Sequence, residues 1–325
     1  MRRHHLSAIV LAIAIALGLA PWATPAPARA AAPCRVTNSA TNPPARFSSI
    51  GAALVAAEDP ADPQAPVTLS FTGRCAETVL IGRTGPTTIV GRRTRATGTP
   101  TLDATGTGTA AVVIWSDPVT LRGFTITGGT GVPGLDPSEP ASGGGLWIDS
   151  SSVTLVDMRV TRNEARGEGG AGGGIEITAA LGPFPGGSGA GSRLVLAGRT
   201  VIGDNSATYA GGGIRVGPGV TVRITGDARI AKNHADAYGG GIAVDGADGK
   251  ETTLLLRDRA IVTGNDAGLG GGGIRTEGSV TTRVTAAASI QGNSSTFGGG
   301  ILVGSDGALE LAGSVSGNSA SDTGG

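Results

Sequence analysis

One four-residue word constrains this chain more than any other feature: Gly-Gly-Gly followed by Leu or Ile. It stands at Gly143–Leu146, Gly172–Ile175, Gly211–Ile214, Gly239–Ile242, Gly271–Ile274 and Gly298–Ile301. Successive starts lie 29, 39, 28, 32 and 27 residues apart, and Gly324-Gly325 follow after another 26. A unit of this length is one supersecondary element. It cannot bury its apolar face alone, so it must stack on its neighbours.

A second word travels with the first. An apolar residue, two others and then Asn recur at Val160…Asn163, Ile202…Asn205, Ile230…Asn233, Val262…Asn265, Ile290…Asn293 and Val315…Asn318. Between the words stand alternating pairs such as Val153/Leu155, Leu194/Leu196, Val222/Ile224 and Leu254/Leu256. Others follow each triple glycine, among them Ile175/Ile177 and Ile214/Val216. Apolar residues two apart, in short runs broken by Gly, Asn and Asp, are strands with one buried face. Each repeat therefore holds about three short strands and no helix. Strands that return once per repeat stack parallel on the previous copy, which predicts an all-β solenoid.

The words then have physical roles. Glycines admit positive φ and close backbone packing where the coil turns. Asn163, Asn205, Asn233, Asn265, Asn293 and Asn318 fall one above another at the strand spacing of about 4.8 Å, close enough for their amides to hydrogen-bond up the stack. The Ile, Val and Leu columns form the core. With 58 glycines in 325 residues and 3% aromatics, the composition alone would also suit a disordered chain. Phased apolar columns argue against that, because disorder does not need them.

Four regions follow. Residues 1–30 carry Arg2-Arg3, an apolar run Leu6–Ala20 and the small-x-small site Ala28-Arg29-Ala30, which reads as a secretory signal. The mature protein is expected outside the cell or at its surface, with no membrane span once that signal is cleaved. Residues 31–66 form a lead-in and one helix over Phe47–Ala57, capped by Ser48 or Ser49, with Ile50, Ala53, Leu54 and Ala57 on one face. Residues 67–142 have strand alternation without the triple glycine, as irregular coils. Residues 143–325 are the regular coils, one domain with the preceding ones. Loops interrupt them at 179–192 and 245–251, and another, 130–142, precedes them. Cys34 and Cys75 are either one disulfide of an oxidising compartment or two separate thiols. The chain has 25 basic and 25 acidic residues. Loss of Arg2, Arg3 and Arg29 with the signal leaves a slight acidic excess. No charge pattern recruits nucleic acid or an anionic membrane.

The Gly-Gly-Gly-Ile and Ile-x-x-Asn words resemble the repeats of polymorphic outer-membrane proteins, with Ile or Val here where those carry Phe. The stretch Val119-Thr-Leu-Arg-Gly-Phe-Thr-Ile-Thr-Gly-Gly129 is similar to the pectin-lyase-like group. The resemblance covers roughly residues 45–325. It implies a right-handed parallel β-helix whose open first coil is covered by a short N-terminal capping helix. Two function classes come with it. One is a non-catalytic surface module that recognises glycans or cell-surface partners, or has a structural, adhesive role. The other is a polysaccharide lyase or glycoside hydrolase acting on an acidic polysaccharide.

Candidate chemistry is sparse. The outward column after each triple glycine reads Trp147, Glu176, Arg215, Ala243, Arg275 and Leu302. Glycoside hydrolysis needs two carboxylates on one face. This column has a single acid beside an Arg, so an exposed Glu176–Arg215 ion pair is expected instead. Ser206, His234 and Asp266 stack in a Ser–His–Asp order, but a triad also needs an oxyanion hole and close hydrogen bonds. Tyr209, Tyr238 and Phe297 precede triple glycines as an aromatic row, suited either to sugars or to packing a corner. Trp147, Glu176, Tyr209, Arg215, Tyr238 and Arg275 are therefore the candidate binding residues, and no catalytic residue is assigned. Asp245, Asp248 and Glu251 place three carboxylates in one loop, either a Ca²⁺ site or a solvated turn. No other cofactor is implied. The last coil keeps its apolar columns, so the sequence predicts either a longer chain or an end that docks on a partner or a second copy.

Overall fold

The strands form where apolar side chains alternate, and their pairing follows the repeat. The computed structural model describes residues 32–39, 44–59, 61–82, 85–115, 118–133, 140–179 and 192–324. The predicted signal segment, the middle of the 130–142 loop and nearly all of the 179–192 loop lie outside these residues. The described chain is a parallel β-helix with four sheets running along it.

Sheet I has eleven strands and includes Ser152–Val156, Arg193–Ala197, Thr221–Ile224, Thr252–Leu256 and Val280–Val284. Sheet II has nine and carries the strands before each Asn, such as Val201–Gly203 and Arg229–Ala231. Sheet III has eight and carries the strands after each triple glycine: Leu146–Asp149, Ile175–Thr178, Ile214–Val216, Ile242–Asp245, Ile274–Glu277 and Ile301–Val303 among them. Sheet IV was not foreseen. Its six strands begin immediately after the Asn positions, and several span two residues, such as His234–Ala235 and Asp266–Ala267. Two residues hold a single alternation, too little for periodicity to register.

Register is in phase from coil to coil. Leu155 pairs with Leu196, which pairs with Ile224 and then Leu256. On sheet II, Val160, Ile202, Ile230, Val262 and Ile290 follow one another. All of these are fully buried, each such side chain contributing about 1.5–3 kcal/mol of transfer free energy. In the last described coil the corresponding Leu309, Leu311 and Val315 are exposed.

The three glycines of each word do three jobs, seen at Gly211–Gly213. Gly211 has φ +65°, the left-handed region. A Cβ on Gly212 would lie 2.1 Å from the His234 carbonyl oxygen, and one on Gly213 2.5 Å from the Gly241 carbonyl oxygen. The second and third glycines are thus required by the next coil's backbone, not by their own torsions.

At the N-terminal end the parallel rule breaks. Strand Arg35–Asn38 pairs antiparallel with both Ala45–Phe47 and Val67–Thr72, extending sheet I. Helix α1, Ile50–Ala56, packs Ile50, Ala53 and Leu54 into the same core. Ser49 caps it, its Oγ accepting from the Ala52 amide at 3.1 Å. Glu77 of the first coil accepts from the amides of Ile50 at 2.7 Å and Gly51 at 3.0 Å. The helix is therefore fastened by its own unsatisfied N-terminal donors. Cys34 and Cys75 form a disulfide. Cys75 pairs in register with Leu102, so the bond starts from a core position and holds the antiparallel strand on the first coil.

Candidate functional site

The Asn column occupies the corner between sheets II and IV. Each Asn Nδ2 donates to the Oδ1 of the next: Asn163 to Asn205 at 3.0 Å, Asn205 to Asn233 at 3.0 Å, Asn233 to Asn265 at 2.9 Å, Asn265 to Asn293 at 2.9 Å and Asn293 to Asn318 at 2.9 Å. The same Oδ1 also accepts the previous Asn backbone N–H, as in Asn205 to Asn233 at 3.1 Å. The second Nδ2 hydrogen reaches back to a carbonyl one coil earlier, as in Asn233 to Ile202 at 3.0 Å. For Asn233 every side-chain donor and both acceptor directions are used. The residue before each Asn is left-handed, including non-glycines Arg162, Asp204 and Lys232. This column is structural, and it turns the coil.

The functional candidates gather on the outer face of sheet III. Trp147 pairs with Glu176, Glu176 with Arg215, Arg215 with Ala243, and Ala243 with Arg275. Arg215 Nη1 donates to Glu176 Oε1 at 2.6 Å, and its Nη2 donates to Asp245 Oδ2 at 2.9 Å. Arg275 Nη1 donates to Asp245 Oδ1 at 3.0 Å, and its Nη2 donates to Glu277 Oε2 at 2.9 Å. A continuous chain of five alternating charges results. Ala243 lies fully buried between the two arginines. Its small side chain leaves both guanidinium groups room to reach Asp245 from opposite sides.

The expected exposed Glu176–Arg215 pair is corrected in one respect. The pair forms, but Glu176 is only 4% exposed. Its second oxygen, Oε2, is buried with no hydrogen-bond partner of good geometry among the described residues. Burial pushes the Glu176 carboxyl above its ordinary value, and Asp245 adds to this. Arg215 and the nearby Ser142 hydroxyl pull the other way without prevailing. Burial also disfavours the charged Arg215, but Glu176 and Asp245 more than offset it and hold the guanidinium above its usual value.

Asp245 and Glu277 were missed as members of this face. Asp245, expected in a loop, ends strand Ile242–Asp245 and pairs with Glu277. The signal was present as the alternations Ala243/Asp245 and Arg275/Glu277. Of the other two carboxylates proposed for Ca²⁺, Asp248 accepts from Ser279 Oγ at 3.4 Å and Glu251 is exposed. With Asp245 held by two arginines, the structure does not draw the three together. Among the described residues, three candidate ligand atoms converge within 4.8 Å at Cys34, Cys75 and Glu77. There the sulfurs are in the disulfide and the carboxylate caps the helix, so that group is already committed.

The aromatic row is staggered. Tyr238 is bridged to Ala210 and Gly270, and Gly270 to Phe297, so Tyr209 stands one residue out of register. Tyr209 and Tyr238 still meet edge to face at 5.8 Å between centroids. The Arg275 guanidinium lies over the Tyr238 ring, 4.8 Å from its centre. Tyr209 is 45% exposed. The charged row and the two tyrosines thus form one surface through Arg275.

The Ser–His–Asp order makes no triad. Ser206 is in register with His234, but both imidazole nitrogens lie 3.0 Å from carboxylates, Nδ1 from Asp266 and Nε2 from Asp236. No ring nitrogen is left for the serine. No helix among the described residues is long and apolar enough to cross a membrane.

The fold and this face define a class, the parallel β-helix repeat proteins, and no finer assignment comes from known proteins. No family model, no curated protein and no solved structure matches the chain.

Proposed function

We propose that the protein is a secreted or surface-exposed, non-catalytic β-helix module of the pectin-lyase-like kind that recognises glycans. The observation that carries this reading is the joined surface on sheet III: exposed Tyr209 against Tyr238, with Arg275 stacked on the ring and anchored to Asp245 and Glu277. Sugars are bound by aromatic faces flanked by a few fixed polar groups. A rigid parallel sheet supplies that fixity without a lid. Each carboxylate in this row already accepts a hydrogen bond from an arginine, which suits holding a surface better than moving protons.

One observation favours the alternative, a polysaccharide lyase or glycosidase. Glu176 is buried, its carboxyl is raised, and its Oε2 has no hydrogen-bond partner among the described residues, the traits of a general acid. A single experiment separates the two. The purified chain is incubated with uronic-acid and neutral polysaccharides, with and without Ca²⁺, and both retention and product are measured. Binding that weakens in Tyr209→Ala, without new reducing ends or unsaturated products, supports the recognition module. Product formation abolished by Glu176→Gln would replace it with the enzyme.

A further inference from the structure

A second surface, at the other end of the molecule, is built differently. An open cleft of about 460 Å³ lies on the N-terminal end of sheet I, lined among others by Arg35, Thr37, Arg46, Ser70, Thr72 and Arg92. Its size falls within the range of small-ligand sites. The antiparallel register explains the arrangement. Arg46 is opposite Thr37, Thr37 opposite Ser70, and Arg35 opposite Thr72. Directly opposed residues share a face of the sheet. Phe71 pairs with Gly91, and the Arg92 amide donates to the Phe71 carbonyl at 2.7 Å, which sets Arg92 beside Thr72. Three hydroxyl-bearing residues therefore occupy the middle of the face, with three arginines around them. Arg35 and Arg92 are two strand spacings apart, roughly 10 Å between backbones.

Among the described residues, six arginines on the coils are paired, while others such as Arg223 and Arg229 are not. Arg74, Arg166, Arg215, Arg259, Arg275 and Arg283 each have a carboxylate partner. Arg35, Arg46 and Arg92 have none among the described residues, and the described lining of the cleft includes no Asp or Glu. Three like charges on one face repel one another, and no carboxylate among the described residues pairs with them. The guanidinium fork matches carboxylate, sulfate and phosphate oxygens bidentately. The strand that presents Arg35 follows Cys34 directly, so the disulfide to Cys75 holds the site's edge in place.

We propose that this cleft is a binding site for an oxyanion-bearing ligand, separate from the sheet III surface and independent of its function. Uronate or sulfated saccharides and free inorganic oxyanions share that chemistry. The test is calorimetry on the full chain with four probes: sodium sulfate, sodium phosphate, a uronate trisaccharide and a sulfated disaccharide, each at low and high salt. Saturable binding of at least one probe is expected, weakening as salt rises. Tighter binding of a saccharide than of either inorganic ion identifies an acidic glycan, and equal binding identifies a free oxyanion. Arg35→Gln, Arg46→Gln and Arg92→Gln should each weaken binding roughly tenfold, the loss of one charged hydrogen bond. Arg259→Gln, which breaks an exposed pair elsewhere, should leave it unchanged. The single substitutions are on exposed side chains, and unchanged thermal melting confirms that each variant folds. The proposal is overturned if no probe binds saturably, if the three substitutions leave affinity intact, or if Arg259→Gln weakens binding equally.

Discussion

Two polar columns run along this helix, and they end differently. In the Asn corner each neutral amide both donates and accepts along the stack, so the interior of the ladder closes with every group satisfied. In the sheet III row the groups are ions of alternating sign, and the first acid, Glu176, is buried with one oxygen unpartnered among the described residues. A coil stacks neutral polar groups more cheaply than ions. A neutral amide loses little on leaving water if it keeps its hydrogen bonds. A carboxylate must also overcome the loss of its hydration, which attraction to one arginine does not always repay. The amide column therefore persists through six coils, while the charged row is local to four.

Asn233 is the residue on which the amide column depends most. Alanine there removes the acceptor for Asn205 and the donor to both Asn265 and the Ile202 carbonyl, leaving buried groups unpaired. Asn233→Ala should cost about 3 kcal/mol in chemical denaturation. A loss below about 1 kcal/mol would mean that the corner is held by its glycines alone.

Glu176→Gln probes the charged row. A carboxyl raised in the folded state contributes stability that is complete below its unfolded value, near 4.5, and lost as pH rises through the folded value. At pH 7 the substitution should therefore change stability by no more than about 1 kcal/mol, since neutral Gln escapes the cost of burying an ion. As pH falls toward 4.5 and below, wild type should gain on Glu176→Gln. Thermal melts across pH decide it, and a wild type that loses ground on acidification would show that the Arg215 pair outweighs burial.

Thr282 is a polar group with no column at all. It replaces the aliphatic residue between Leu254 and Leu309, and its Oγ1 is buried without a partner among the described residues. Thr282→Val should stabilise by roughly 1 kcal/mol, read from the denaturant midpoint. The smallest effect belongs to Asn318, whose amide accepts from Asn293 and donates to Ile290 in the partly exposed last described coil. Asn318→Ala should cost well under half of the Asn233 loss. Equal losses would mean that position along the ladder does not matter.

Spacing alone dictates the coil. Period-two apolar residues name the strands, and a constant repeat leaves only stacking in register, so the core columns and the Asn row follow from spacing. The N-terminal helix was legible from its cap and apolar face. The partners of the polar side chains across coils emerge only on stacking. Asp245 read as a loop carboxylate because loop and strand end are one residue apart there, and only the register sets it between Arg215 and Arg275. Glu176 read as exposed because alternation reports which way a side chain points, not what covers it. The cleft of Arg35, Arg46 and Arg92 was invisible, because an antiparallel strand outside the repeat brings those residues together and no period announces it. Local pattern fixes direction and phase. Charge, burial and partnership depend on neighbours far along the chain, and those exist only once the coils have stacked.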